Sequence, residues 1–223
     1  MTDPLVGRLR SLDSCAVSDA LDRLGVADRV VTGLTGFGHR GRSAGRAVTV
    51  ELGPPRAEPS HRHLCAAAVD ASGPDDIIVV AHQARTDCAG WGGNLSRAAR
   101  ARQVLATLVD GAVRDVDEAL DIGYPVLGRT ATPRTARGRT EEHSWGTPIS
   151  FGGVDVVPGD YVIADSTGVV FLPAAIAAEV IEAAEQIAAK EAAMAADIDA
   201  GRPISEVMGA SYEQMLMGGR TDG

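Results

Sequence analysis

The sequence predicts an α/β protein built on a mostly parallel, buried sheet, and three observations point to it. Residues 77–109 run apolar strand, polar glycine-rich loop, helix, apolar strand, which is the order of a βαβ unit. Residues 173–198 carry the spacing of one long helix behind a proline start. The apolar fraction is 45% with only 4% aromatic, so the core is made of small aliphatic side chains that let helices pack closely on a sheet. At 223 residues one domain spanning 1–223 is expected, with no repeat or linker interrupting it.

Each element has its own justification. Leu12, Ala16, Ala20, Leu21 and Leu24 have helical spacing over residues 11–24, and Gly25 closes that helix. Residues 43–52 alternate loosely as a strand that Gly53–Pro54–Pro55 stops, and a second helix is expected over 61–71. Ile77–Ile78–Val79–Val80 is a buried strand, and a loop is expected from 81 to 93. A helix over 94–102 and a strand over 105–109 follow, with Asp110–Gly111 turning out of the strand. A short helix over 115–122 ends at Gly123, and a strand begins at Tyr124. Residues 130–147 mix charges, prolines and glycines and read as irregular, either an active-site loop or a surface excursion. Short strands flank the Pro158–Gly159 turn, and 168–172 is the last strand.

The formal charge of -9, from 21 basic and 30 acidic residues, lacks the footprint of a nucleic-acid binder. The clusters Arg97/Arg100/Arg102 and Arg129/Arg134/Arg137/Arg139 could hold small anions, but no stacking aromatics flank them. Cys15, Cys65 and Cys88 form no CxxC pair, so neither a disulfide framework nor a cysteine zinc site is expected. Apolar runs are too short for a membrane span, and a cytoplasmic enzyme without membrane partners is the expectation.

Four places could carry chemistry. Asp110–Gly111–Ala112–Val113–Arg114–Asp115 follows an apolar strand, where open α/β sheets bind ligands. Arginine offers a rigid fork for a carboxylate, and the adjacent aspartate can hold a magnesium-type cation directly or through water. The plainer reading is that Asp115 caps a helix and Arg114 pairs on the surface. Gly90–Trp91–Gly92–Gly93–Asn94–Leu95 enters a helix and exposes backbone N–H groups to an anion, although an ordinary turn reads the same way. Glu191 falls within the apolar stripe Ile176, Val180, Ala184, Ile187, Met194 and Ile198, so it needs a partner, a metal shell or water at a subunit boundary. His82 follows a strand end and is a pocket candidate, as is Arg85, while His61, His63 and His143 lack a metal-site context.

These residues resemble the 4-hydroxy-4-methyl-2-oxoglutarate/4-carboxy-4-hydroxy-2-oxoadipate aldolase family, which includes proteins named as regulators of ribonuclease E activity. The resemblance rests on Ser18–Asp19–Ala20–Leu21 and on Gly93, twenty residues, Arg114–Asp115, two residues, Glu118. Gly123–Tyr124–Pro125–Val126, Thr132–Pro133 and Phe151–Gly152–Gly153–Val154–Asp155 add to it, and it covers about residues 11–200.

The resemblance implies a compact layered α-β-β-α domain with a long C-terminal helix, assembling as a homotrimer or a dimer of trimers with sites at subunit interfaces. By that resemblance, Gly93, Asn94 and Leu95 offer N–H groups to a 2-oxo acid carboxylate, and Arg114 contacts its oxygens. Asp115 holds Mg²⁺ or Mn²⁺, largely through water, with Glu118 in the surrounding shell. A neighbouring subunit's glutamate corresponds to Glu191. The implied reaction is retro-aldol cleavage of a 4-hydroxy-2-oxo diacid to pyruvate through an enolate, with oxaloacetate decarboxylation as a side activity. Lys190 is the only lysine and is not placed for an imine route. Hydration or isomerisation at the same site and a non-catalytic ribonuclease-binding role are the alternatives. The chain departs from the family at Ala81–His82–Gln83–Ala84–Arg85 and Trp145–Gly146–Thr147–Pro148, where the outer part of a substrate would be read.

Overall fold

The computed structural model describes residues 2–37, 41–57 and 63–208 of the chain. Helices α1 (Pro4–Leu9) and α2 (Ser14–Arg23) come first. Asp3 accepts from Leu5 N at 2.9 Å and Asp13 from Ala16 N at 2.8 Å, so each helix starts on a carboxylate cap. Strands β1 (Val30–Val31), β2 (Thr35–Gly36) and β3 (Ser43–Gly53) lead to α3 (Ala66–Ala71). Then β4 (Asp76–Trp91), α4 (Gly93–Ala101), β5 (Ala106–Val113), α5 (Val116–Asp121) and β6 (Val126–Ala131) alternate. The chain continues through β7 (Glu141–Trp145), the hairpin β8 (Ile149–Phe151) and β9 (Val154–Val156), then β10 (Tyr161–Ala164) and β11 (Val169–Leu172). A 3₁₀ turn at Ala174–Ile176 opens the 23-residue helix α6 (Ala177–Asp199), and α7 (Ile204–Val207) follows.

The main sheet has the order β1-β11-β10-β3-β4-β5-β6-β2, with β7 paired to β3. The expected parallel sheet is confined to its middle: β3–β4, β4–β5 and β5–β6 are parallel, and the flanking pairs are antiparallel. Of the flanking pairs, β10 and β11 are joined by a short turn over residues 165–168, a connection that antiparallel pairing allows and parallel pairing does not.

Alternation along the strands sorts the core onto two faces. Ile78 and Val80 pack with α3, α4 and α5, and Ile163, Val170 and Leu172 pack with α1, α2 and α6. Ile77, Val79 and Phe171 face the other way, against the β8–β9 hairpin. There Phe151 and Phe171 meet edge to face with ring centroids 5.5 Å apart. The result is a layered α/β domain with its sheet buried and a long C-terminal helix on one face.

Four expectations change. The loop expected over 81–93 is mostly strand, because β4 runs on to Trp91 through shifts in register against β5. Asp110–Gly111 does not turn out but stays within β5, which is buried along its whole length. Residues 141–145 form β7, an edge segment whose half-exposed side chains lack apolar alternation. Helix α3 begins only at Ala66, and the expected start at His61 lies outside the described residues.

Candidate active site

The parallel strands β3, β4, β5 and β6 run in one direction, so the segments leaving their carboxyl ends converge. A cleft of about 240 Å³ lies there. Each strand supplies one wall: His63 and Leu64 after β3, Gly92 to Leu95 after β4, Arg114 and Asp115 after β5, and Thr135 to Arg137 after β6. This is the position where open α/β sheets bind ligands. Trp91 closes the floor, its indole N–H donating to Ser96 Oγ at 2.9 Å.

Asp115 stands at the N-cap of α5 in the left-handed region, with φ 56 and ψ 40, yet its side chain does not cap that helix. The carboxylate reaches across to α4 instead, where Oδ2 accepts from Gly93 N at 3.0 Å. Arg114 Nε donates to both carboxylate oxygens, at 3.2 and 3.1 Å. Asp115 thus gives α5 no side-chain cap; its carboxylate satisfies the first N–H of α4 instead, and Arg114 pairs with it at the cleft. Gly93 N–H is committed to this bond. The N–H groups of Asn94 and Leu95, in the first turn of α4, meet no acceptor among the described residues, and both residues line the cleft.

Glu118 lies behind that turn. Its carboxylate pairs with Arg97 Nε, tying α5 to α4, and a Cβ placed on Gly93 would collide with it. A Cβ on Gly92 would come within 3.0 Å of Asp115 Oδ2. A side chain at either position would make a neighbouring carboxylate shift, that of Glu118 at Gly93 and that of Asp115 at Gly92.

A hard cation at this place has one half-exposed carboxylate to hold it, Asp115. Among the described residues no three His, Cys, Asp or Glu side chains cluster as a metal-binding group. Magnesium commonly takes one or two carboxylates and completes its shell with water and substrate oxygens. The donor set fits that water-rich mode, with Asp115 as direct or water-bridged ligand, but not a cage built from protein alone.

The remaining candidates are placed elsewhere. His82 is fully buried inside the irregular part of β4 and is not among the residues that line the cleft. Its Nε2–H donates to Cys88 O at 2.9 Å, and burial pushes its pKa down. Arg85 forms a bidentate pair with Asp87, at 2.9 and 2.8 Å, and donates through Nη1 to Arg139 O at 2.7 Å. It braces the loop after β6 rather than the cleft. His63 lines the cleft, while His61 lies outside the described residues. His143 Nε2 bonds to Pro54 O at 2.9 Å.

Glu191 is on α6, which contributes no residue to this cleft. Burial, then Asp13 and Asp19, raise its carboxyl pKa. The apolar stripe that contains it is buried only as far as Ile187.

Sequence reasoning did not single out Leu64, Thr135 or Ala136, and it grouped Arg97 with Arg100 and Arg102 as an anion-binding cluster, whereas Arg97 pairs with Glu118. The signal for the loop was its density of Pro, Gly and Arg after a parallel strand; nothing local announces the Arg97–Glu118 pair, which joins two helices.

Comparison with known proteins places these features in context. The family described as RraA-like, Aldolase/RraA, matches residues 14–171. Protein DlpA of Legionella pneumophila is 27% identical over 215 residues, covering 96% of this chain, which in turn spans only 35% of that protein. The 4-hydroxy-4-methyl-2-oxoglutarate aldolase of Thermus thermophilus is 31% identical over 139 residues, 61% of this chain and 79% of the relative. The crystal structure of Streptomyces coelicolor RraAS2, described as an unusual member of the RNase ES inhibitor RraA protein family, superposes with a TM-score of 0.78. It is 26% identical and covers 85% of this chain and 94% of its own.

Proposed function

This chain belongs to the Aldolase/RraA family, and from that premise we propose that it is a divalent-cation-dependent lyase cleaving 4-hydroxy-2-oxo diacids to pyruvate. Oxaloacetate decarboxylation is the side reaction expected of the same site. The observation that carries the reading is the pairing of Arg114 with Asp115 at the mouth of a cleft whose opposite lip holds two unsatisfied N–H groups, Asn94 and Leu95.

The chain's own groups divide the work. Asn94 and Leu95 N–H bind the carboxylate of the 2-oxo acid, helped by the positive end of α4. Arg114 spends Nε on Asp115 and keeps its outer nitrogens for the 2-oxo oxygen, where negative charge develops as the C3–C4 bond breaks. Asp115, held by Gly93 and Arg114, would hold Mg²⁺ or Mn²⁺ in one place. A bound cation of this kind supplies Lewis-acid stabilisation of oxygen charge. Glu118 fixes the α4–α5 junction through Arg97, and in this reading acts on the cation only from outside its immediate ligands.

Glu191 completes the site from a second copy in a homotrimer or a dimer of trimers. Its support is its place in a helical stripe whose outer part is left uncovered in one chain. Magnesium-dependent pyruvate release from such a diacid tests the whole reading.

A further inference from the structure

The reaction proposed for the cleft needs a proton acceptor, because carbon–carbon cleavage of a 4-hydroxy-2-oxo acid begins at the 4-hydroxyl. The groups assigned so far do not supply one within the chain's own cleft. Arg114 stays cationic, and the N–H groups of Asn94 and Leu95 only donate. Asp115 already accepts from Gly93 N at 3.0 Å and from Arg114 Nε at 3.2 and 3.1 Å. Glu191 lies on α6, which adds no residue to this cleft. Among the described residues that line the cleft, His63 is the one remaining side chain that exchanges a proton near neutral pH.

The geometry of His63 suits that role. Its Nδ1 lies 2.9 Å from Leu64 O. A carbonyl only accepts, so the proton of the neutral ring is on Nδ1 and the lone pair is on Nε2. Nε2 meets no partner among the described residues. His82 and His143 differ, because each spends Nε2 on a backbone carbonyl, Cys88 O and Pro54 O. The turn that carries His63 is tied down: its carbonyl accepts from Ala66 N at 3.2 Å, and Cys65 N donates to Glu142 Oε2 at 2.6 Å. His63 also lines a second chamber of about 360 Å³, sharing both spaces with Leu64, Thr135, Ala136 and Arg137. It therefore stands between the place of the 2-oxo acid and the room left for the departing half.

We propose that His63 is the catalytic base that takes the 4-hydroxyl proton. This inference rests on the lyase reading and adds the acceptor which that reading lacks. Nε2 takes the proton as the C4–O bond becomes a carbonyl and the C3–C4 bond breaks, and the electron pair of that bond becomes the enolate held at Arg114. Water then protonates C3 to give pyruvate, and His63 returns its proton to solvent. Oxaloacetate loses carbon dioxide to the same enolate with no hydroxyl proton to remove, so that reaction does not need Nε2.

The two reactions separate a base from a residue that merely shapes the cleft. Pyruvate release by the magnesium-loaded full chain is measured from 4-hydroxy-4-methyl-2-oxoglutarate and from oxaloacetate. His63→Ala is expected to lower kcat for cleavage by about 100-fold or more, the scale of general base catalysis, and to change decarboxylation by less than about threefold. His63→Gln, which still has a donor for Leu64 O, is expected to behave alike. Added imidazole restores part of the cleavage rate of His63→Ala, and His143→Gln, at a histidine outside the cleft, leaves both reactions unchanged. A His63→Ala protein that cleaves as well as the wild type, loses both reactions equally or gains nothing from imidazole overturns the inference. A folded wild type that cleaves no 4-hydroxy-2-oxo diacid overturns the lyase reading itself, and this inference with it.

Discussion

Asp115 Oδ2 accepts a hydrogen bond from Gly93 N at 3.0 Å, which joins the first turn of one helix to the residue that begins the next. The two residues leave adjacent parallel strands, and the bond sets the distance between the 2-oxo acid donors and the carboxylate proposed to hold the cation. Asp115→Ala is expected to lower turnover by about 100-fold or more, the scale for losing a preorganised electrostatic group. The protein should stay folded, because Asp115 gives α5 no side-chain cap and its loss frees only one N–H of α4, that of Gly93. Unchanged kcat/KM in a folded Asp115→Ala protein removes this residue from the mechanism.

Gly93 is needed for space rather than for an unusual backbone angle. A methyl group there collides with the Glu118 carboxylate that Arg97 holds. Gly93→Ala should cost about 1–3 kcal/mol by overpacking. Adding Glu118→Ala removes the colliding atoms and should recover part of that loss. Urea denaturation of the two single variants and the double variant gives the coupling, and strict additivity would refute the contact as the cause.

Burial of His82 makes a prediction about acid stability. With Nε2–H bonded to Cys88 O, Nδ1 is left buried without a partner, and protonating it would bury a cation. Its folded pKa lies below the ordinary value of 6.5, so between the two the unfolded chain binds more protons. This contribution to stability is therefore full above pH 6.5 and is lost as pH falls through 6.5 toward the folded pKa. Melting temperatures measured from pH 7.5 to 5 should drop more steeply for the wild type than for His82→Gln. Parallel curves would mean that His82 does not titrate in this window.

Some of this was legible in the sequence and some was not. Gly93, Arg114 and Asp115 stood out because a glycine pair before a helix and an Arg–Asp after an apolar strand are local signals. The helix α6 and the strands β3 and β11 followed their periodicity. The far half of β4 did not, because Gln83 and Ala84 both adopt positive φ and the pairing with β5 jumps from Ala81 to Arg85 to Ala89. Such irregularity scrambles the two-residue alternation that marks a strand. Strand β7 was hidden for another reason: Glu141 to Ser144 are all partly exposed, so no apolar face exists to be read. His82 looked like a pocket residue because it follows Val80 and Ala81, yet the same irregularity turns it inward.

The shared-site arrangement can be tested by complementation. Glu191→Gln and Arg114→Ala should each be nearly inactive alone. Mixed oligomers assembled from the two should regain a fraction of wild-type activity, since some sites then receive an intact Glu191 and an intact Arg114 from different chains. Absence of rescue in oligomers verified as mixed would place both residues in one chain's site or remove Glu191 from it.

The most direct test of the central claim is pyruvate release from 4-hydroxy-2-oxo diacids, measured by coupled reduction with lactate dehydrogenase, first with magnesium and then after chelation. The reading put forward here predicts release from at least one such diacid, its loss with chelator and its return with added magnesium or manganese. No release from any diacid by a folded, metal-loaded oligomer would contradict it.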